Sequence, residues 1–257
     1  MYKEITINEN YRDDRALCNF VEALPDRFAG GTLIFEKRNT IRRFAVDSAS
    51  VPEVIVKRFH RLKGIKRIIY TFFRTTKASR AYHNGLELLA RGIDTPEPLA
   101  FIEIKSRRLV RDCYFISRPT DFKAIRGPLN DATEFDRPLA RAFAAFAARL
   151  HEAGVLHHDL NSTNTIYRAE PDGSYSFSVI DTNRMDFTDG RPQLDACIAN
   201  IVRFTRRLDL FEYVARSYAK VCGLDPDAFA ADALTAKHRF DNARRRRKRL
   251  LHPTRKY

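Results

Sequence analysis

The stretch from His157 to Asn183, HHDLNSTNTIYRAEPDGSYSFSVIDTN, decides how the rest of the chain is read. An H-x-D-x-x-x-x-N run comes first, then a turn, then an apolar strand that ends in Asp181-Thr182-Asn183. Phosphoryl transfer from ATP needs a carboxylate to receive the proton of the attacking hydroxyl, and hard oxygen ligands to hold Mg²⁺ on the nucleotide phosphates. Asp159 suits the first part, and Asn164 with Asp181 the second. His157, His158 and Asp159 do not make a zinc cluster, because adjacent side chains diverge and no further spaced ligand is evident.

Next to this stretch, Thr165 to Tyr167 and Tyr175 to Ile180 read as a hairpin through Pro171-Asp172-Gly173-Ser174, which leaves Asp159 and Asp181 on its flanking loops. Upstream, Phe135, Leu139, Phe143, Phe146 and Leu150 recur at helical spacing in an alanine-rich segment ending near Gly154, a core stripe. Downstream, helical stretches are expected over roughly 194 to 207, 209 to 222 and 226 to 250.

The N-terminal part reads differently. Its first thirty residues are mixed. Thr32 to Phe35 and Ile41 to Val46 look like two strands around a polar turn, and Val54 to Phe59 like a buried strand with Lys57 near its end. A helix is expected from about Ser79 to Arg91, closed by Gly92, and further strands at Leu99 to Ile104 and Tyr114 to Ser117. Lys57 would pair the nucleotide's α- and β-phosphates, since a buried ammonium needs anionic partners.

In this order the elements resemble the protein-kinase-like fold, and most closely the lipopolysaccharide kinase family, the Kdo/heptose kinases, in particular its Bacteroidetes-type members. The resemblance rests on VIVKRF at 54–59, GIDTPEP at 92–98, LHHDLNSTN at 156–164 and FSVIDTNRMDF at 177–187. It implies an α+β, bilobal protein-kinase-like fold: an N-lobe over 1–117 with a small antiparallel sheet and one helix, a mainly helical C-lobe over 118–243, and a basic tail over 244–257. It also implies that Asp159 positions and deprotonates the acceptor hydroxyl, that His157 braces the catalytic loop, and that ATP and Mg²⁺ are required.

Departures from protein kinases narrow the substrate. No glycine-rich phosphate loop occurs; the corresponding turn reads Glu36-Lys37-Arg38-Asn39-Thr40, where Arg38 and Asn39 are the candidate phosphate donors. Glu87 is the acid available to brace Lys57, in a helix whose middle reads Tyr82-His83-Asn84-Gly85-Leu86-Glu87, one turn out of register. Asn161 stands where protein kinases have lysine, and Asn183 where they have the glycine of D-x-G, as in sugar- and antibiotic-directed kinases. About a dozen residues separate Asp181 from the next helical stretch, which leaves little room for a peptide platform.

Charge points the same way. The chain of 257 residues carries a formal charge of +14. Lys57 to Arg80 holds nine Lys/Arg and no acid, and residues 244–257 hold eight. Such fields attract phosphates and carboxylates, so the expected partner is an anionic, lipid-linked sugar acceptor such as lipopolysaccharide core. Gly64 to Arg74 mixes aliphatic and aromatic groups with cations and reads either as a contact with the inner-membrane headgroups or as a packed linker helix. Arg244 to Arg249 would form a basic ridge toward anionic lipid or the acceptor. Nucleic acid is not the expected partner, because no stacking-aromatic pattern accompanies these arginines.

The four cysteines form no C-x-x-C pair, residues 1–14 contain no apolar run, and no stretch is long enough to span a bilayer. A cytoplasmic protein, peripheral on the inner face of the inner membrane, is the resulting expectation. Two alternatives remain open: a soluble small-molecule kinase of aminoglycoside or choline type, and a catalytically dead kinase-like binding module.

Overall fold

The computed structural model describes residues 2–251, and all structural statements concern those residues. Of the basic tail, residues 252–257 lie outside them. The chain divides into two compact units: one runs to Asp121 and includes Ile180–Arg184, the other comprises Phe122–Val179 and the residues from Met185 onward.

The first unit is built on an antiparallel sheet in the order β1-β5-β6-β4-β3-β2. Its strands are β1 (Tyr2–Ile7), β2 (Thr32–Glu36), β3 (Thr40–Ala45), β4 (Glu53–Arg58), β5 (Pro98–Ser106) and β6 (Leu109–Ser117). Successive side chains in a strand point to opposite faces, and here each face has its own core. Val54, Val56, Ala100, Ile102, Tyr114 and Ile116 pack with Leu17, Val21 and Leu24 of helix α1 (Arg15–Arg27). Phe101, Cys113 and Phe115 pack on the other face with Ala78, Ala81 and Tyr82 of α3 (Lys77–Ala90). Lys57, out of phase with Val54 and Val56 and opposite Phe115 in register, therefore lies on the α3 face.

Gly85 permits the close approach of α3 to the sheet, since a Cβ there would lie 2.5 Å from Cγ of Pro98. The mixed N-terminal stretch resolves into β1, an edge strand recruited by pairing with β5, and α1, whose N-cap Asp14 accepts a bond from the Leu17 amide at 3.0 Å.

Helix α2 (Ile65–Ile68) continues as a π-turn over Ile69–Phe73. Arg67 pins it by donating to the carbonyls of Ser106, Leu109 and Val110, and Thr71 Oγ1 accepts from the Val110 amide. Ile65 (72% exposed), Phe72 (66%) and Phe73 (81%) face outward, so this segment is not the packed linker that was one of its two readings.

In the second unit, α4 (Arg137–Glu152) buries Leu139, Phe143, Phe146 and Leu150, four of the five stripe residues. Phe135 precedes the helix and packs its ring on Tyr213. Two small sheets follow, β10-β9-β7 and β11-β8, formed by β7 (Lys123–Ala124), β8 (Val155–His157), β9 (Thr165–Ala169), β10 (Tyr175–Val179) and β11 (Met185–Phe187). Helices α5 (Leu194–Ile201), α6 (Leu208–Val221) and α7 (Pro226–Leu251) complete the unit. The helix expected over 194–207 stops at Ile201. Beyond it Phe204 stacks on Phe143 with ring centroids 3.9 Å apart, and its carbonyl accepts the Ser162 amide of the catalytic loop. Helix α7 runs unbroken through residue 244, so the tail's beginning is no structural boundary.

Candidate active site

The two units each carry part of the expected chemistry: Asp159, Asn161 and Asn164 belong to the second, Lys57 and Asp181 to the first. In the second unit, β8 ends at His157 and the chain turns sharply. His157 is fully buried, and its Nδ1 accepts the Asp159 amide at 3.0 Å. Asn161 organises the turn from within. Its Oδ1 accepts from the amides of Thr163 and Asn164 and from the Thr163 hydroxyl, while its Nδ2 donates to Asp159 Oδ1 at 3.1 Å. Asn161 is thus placed to orient the Asp159 carboxylate. Asn164 donates its Nδ2 to the Asp159 carbonyl at 3.0 Å, an arrangement that leaves its side-chain oxygen, a hard ligand, for a cation.

Beneath this loop runs a buried polar chain that sequence reasoning missed. Asn200 donates to the His157 carbonyl at 2.8 Å, and its Oδ1 meets His151 Nε2 at 3.1 Å. His151 Nδ1 meets the Tyr218 hydroxyl at 2.8 Å. With Nε2–H donating to Asn200 and Nδ1 accepting from Tyr218, the ring is neutral and fully satisfied.

Burial, helped by the Arg191 charge and opposed by the Asn200 bond, pulls the His151 pKa down from 6.5 to about 4. Between those values the unfolded chain takes up a proton that the folded one refuses. Stability from this site is therefore complete above pH 6.5 and declines as the pH drops toward 4. The wild-type unfolding free energy, measured by urea titration across that range, should fall by up to roughly 3 kcal/mol from this group alone. A His151→Gln variant should show a shallower fall; parallel curves would refute the assignment.

In the first unit, Lys57 Nζ donates to Asp181 Oδ1 at 2.5 Å. Asp181 has a left-handed backbone, φ 62°, which costs an L-residue about 1–2 kcal/mol but is best tolerated by Asp and Asn. Helix α3 holds the loop in place: Thr182 Oγ1 donates to the Ala81 carbonyl at 2.9 Å, and Asn84 Nδ2 donates to the Thr182 carbonyl at 2.6 Å. Asn183 Nδ2 donates to Asp181 Oδ1 at 2.6 Å.

Glu87 does not meet Lys57. It pairs instead with Arg91 at 2.7 Å, one turn beyond the point where α3 contacts the loop, and Asp181 is the carboxylate that Lys57 reaches. Asn39 Oδ1 accepts the His60 amide, so this side-chain oxygen ties the β2–β3 turn to the end of β4.

Lys77, at the start of α3, feels both signs of charge. Burial, and after it the charges of Arg38 and Arg184, lowers the pKa of Lys77 to about 8, with Asp181 pulling partly the other way. Lys57 pairs with Asp181, and Lys77 lies within electrostatic reach of Asp181, Arg38 and Arg184, a local excess of positive charge suited to a polyphosphate where no glycine-rich loop exists. Lys77 and Arg184 carried no motif signal, since their significance comes from meeting in space.

In the second unit, Asp159, Asn161, Ser162 and Thr163 line a cavity of about 1030 Å³. Each unit thus carries a hard oxygen of the kind that suits a divalent cation, Asp181 in the first and Asn164 in the second, and the first also carries the ammonium group of Lys57 suited to phosphates.

The sequence model of the lipopolysaccharide kinase (Kdo/WaaP) family matches residues 33–209, a span containing Lys57, Asp159, Asn164 and Asp181. No curated protein matches the chain. Among solved structures, "WaaP in complex with acyl carrier protein" aligns with a TM-score of 0.60 over 93% of this chain and 98% of that one, at 18% identity. At that identity the likeness shows the fold, a protein-kinase-like one.

Proposed function

Because the chain belongs to the lipopolysaccharide kinase (Kdo/WaaP) family and is a kinase, we propose that it moves the terminal phosphate of Mg·ATP onto a sugar hydroxyl of lipopolysaccharide inner core or its Kdo-lipid A precursor. The carrying observation is the Asp159 carboxylate, oriented by Asn161 and opening on a cavity large enough for a glycan. In this reading Asp159 receives the proton of the acceptor hydroxyl as its oxygen bonds to phosphorus and the bond to ADP breaks. Lys57, with Lys77 and Arg38, binds the nucleotide phosphates. Asp181 and Asn164 are the residues that would hold Mg²⁺, which would supply neutralisation of the phosphate charge that develops during transfer.

The test is incubation with Mg·ATP and Kdo-lipid A acceptors, followed by mass spectrometry for one added phosphate. Transfer to soluble amino-sugar or choline-like alcohols in its place would favour the small-molecule kinase, and nucleotide binding without turnover the dead module.

The exposed face of Ile65, Ile68, Ile69, Phe72 and Phe73, flanked by Lys63, Lys66 and Arg74, supports a peripheral contact with an anionic membrane, where a lipid-linked acceptor is met. No helix among the described residues is long and apolar enough to cross a membrane. The variant Phe72→Ser/Phe73→Ser should bind anionic vesicles about tenfold or more weakly, since each buried CH₂ contributes ~0.8 kcal/mol. Unchanged vesicle binding would discard this contact.

A further inference from the structure

We infer that the inner face of helix α7 recognises the acceptor, clamping two or more phosphate or carboxylate groups beside the hydroxyl to be phosphorylated; this rests on the reading of Asp159 as the base. The cavity that contains Asp159 is also lined by Arg126, Arg203, Arg206, Arg207, Arg244 and Arg247. Its carboxylates are Asp159 and Asp131, so its walls are strongly cationic.

Two of these arginines already have partners. Arg126 pairs with Asp131, and Arg207 with Asp209 and the carbonyls of Ala132 and Thr133. Among the described residues, Arg203, Arg206, Arg244 and Arg247 have no carboxylate partner. The wall also holds buried donors without acceptors. Arg203 packs its guanidinium over the Phe240 ring at 5.2 Å, yet its Nε is unbonded, and so is Nδ2 of Asn130, whose Oδ1 is taken by the Thr205 hydroxyl. Both atoms are sealed from solvent, so the groups open to an anionic ligand are the exposed guanidinium groups of Arg206, Arg244 and Arg247.

Helical geometry separates this clamp from the rest of the basic ridge. Phe240, Ala243, Arg244 and Arg247 recur at the three- and four-residue spacing of one helix face and line the cavity. Arg245, Arg246 and Arg249 lie off that face and outside the cavity lining. The basic run is therefore not one uniform surface. Guanidinium groups bind phosphate and carboxylate with two parallel hydrogen bonds, which gives geometry as well as charge. The volume lies at the upper end of the ~300–1,000 Å³ usual for small-molecule pockets, which favours an oligosaccharide over a single sugar. Phe240 lies beneath Arg203 and Phe204 is buried against Phe143, so neither offers a stacking surface to a nucleobase.

The experiment compares wild type, Arg244→Ala/Arg247→Ala and Arg245→Ala/Arg249→Ala, all as full chains. The probe is acyl-free, water-soluble Kdo-lipid A saccharide, with binding measured by calorimetry. The cavity variant should bind at least tenfold more weakly, while its circular dichroism and its KM for ATP stay unchanged. The outer-face variant should stay within about twofold of wild type. Arg244→Lys/Arg247→Lys should recover part of the affinity, since charge returns without the two-pronged geometry.

Equal losses in both alanine variants would overturn the clamp in favour of diffuse attraction. Unchanged saccharide binding, with reduced binding to phosphatidylglycerol vesicles, would overturn it in favour of a lipid contact. Wild type that fails to bind the saccharide also overturns it. Saccharide bound through Arg244 and Arg247 but never phosphorylated would support the clamp and refute the kinase reaction proposed above.

Discussion

Asp159→Asn is expected to lower kcat for phosphate transfer by roughly 10²-fold or more, the scale set by loss of a positioned general base. The substitution is a clean one. Asparagine retains an oxygen that can accept the Asn161 amide, and the Asp159 backbone amide still donates to His157, so the turn should fold as before. What disappears is the capacity to receive a proton. The KM for ATP should change little, because Lys57, Lys77 and Asp181, the groups proposed to meet the nucleotide, belong to the other unit. Product measured by mass spectrometry at saturating ATP gives the answer, and turnover within a few-fold of wild type would remove Asp159 from the role of base.

The second large effect is expected at the Lys57–Asp181 pair. Lys57→Met and Asp181→Asn should each reduce kcat/KM by about 10²–10³, as is found when a single preorganised electrostatic group is removed from a transition state. Asn is the informative replacement at 181 because it tolerates the left-handed backbone found there, so the fold survives and only the charge is lost. Since the two side chains are in direct contact and are proposed to serve one phosphate group, the double variant should fall well short of the product of the single losses. Lys57→Met that retains activity within tenfold, with stability unchanged, would assign phosphate binding to Lys77 and Arg38 instead.

Several elements were legible before any coordinate because local pattern and tertiary demand agree. The apolar run Val54 to Val56 read as a strand with Lys57 near its end and forms one, with Val54 and Val56 buried, and α4 carries an apolar stripe that survives intact from Leu139 to Leu150. Asp159 and Asn161 were singled out by the H-x-D-x-x-x-x-N motif, and the folded chain joins them by a local hydrogen bond that needs no distant partner. Helix α1 also carried a signal that was overlooked, with Leu17, Val21 and Leu24 at helical spacing behind an Asp N-cap.

Strand β1 had no such signal. Tyr2 to Glu4 are exposed and Ile5 to Ile7 only partly buried, and it is a strand because β5 offers it an edge. Glu87, taken as the acid available to brace Lys57 though one turn out of register, pairs with Arg91 instead, because Asn84, one turn earlier, is where the helix meets the Asp181 loop.

From sequence alone came the chemistry of the catalytic loop, the family resemblance and the sense of the charge, since each depends on residues close together along the chain. Only the folded chain decided that Asp181 answers Lys57, that Lys77 comes within electrostatic reach of Arg38 and Arg184, that His151 and Asn200 support the loop after β8, and that Arg244 and Arg247 line the cavity of Asp159 while Arg245 and Arg249 do not. Those outcomes depend on groups tens of residues apart, brought together when helices and strands bury their apolar faces, and no local rule of spacing encodes which polar groups then meet.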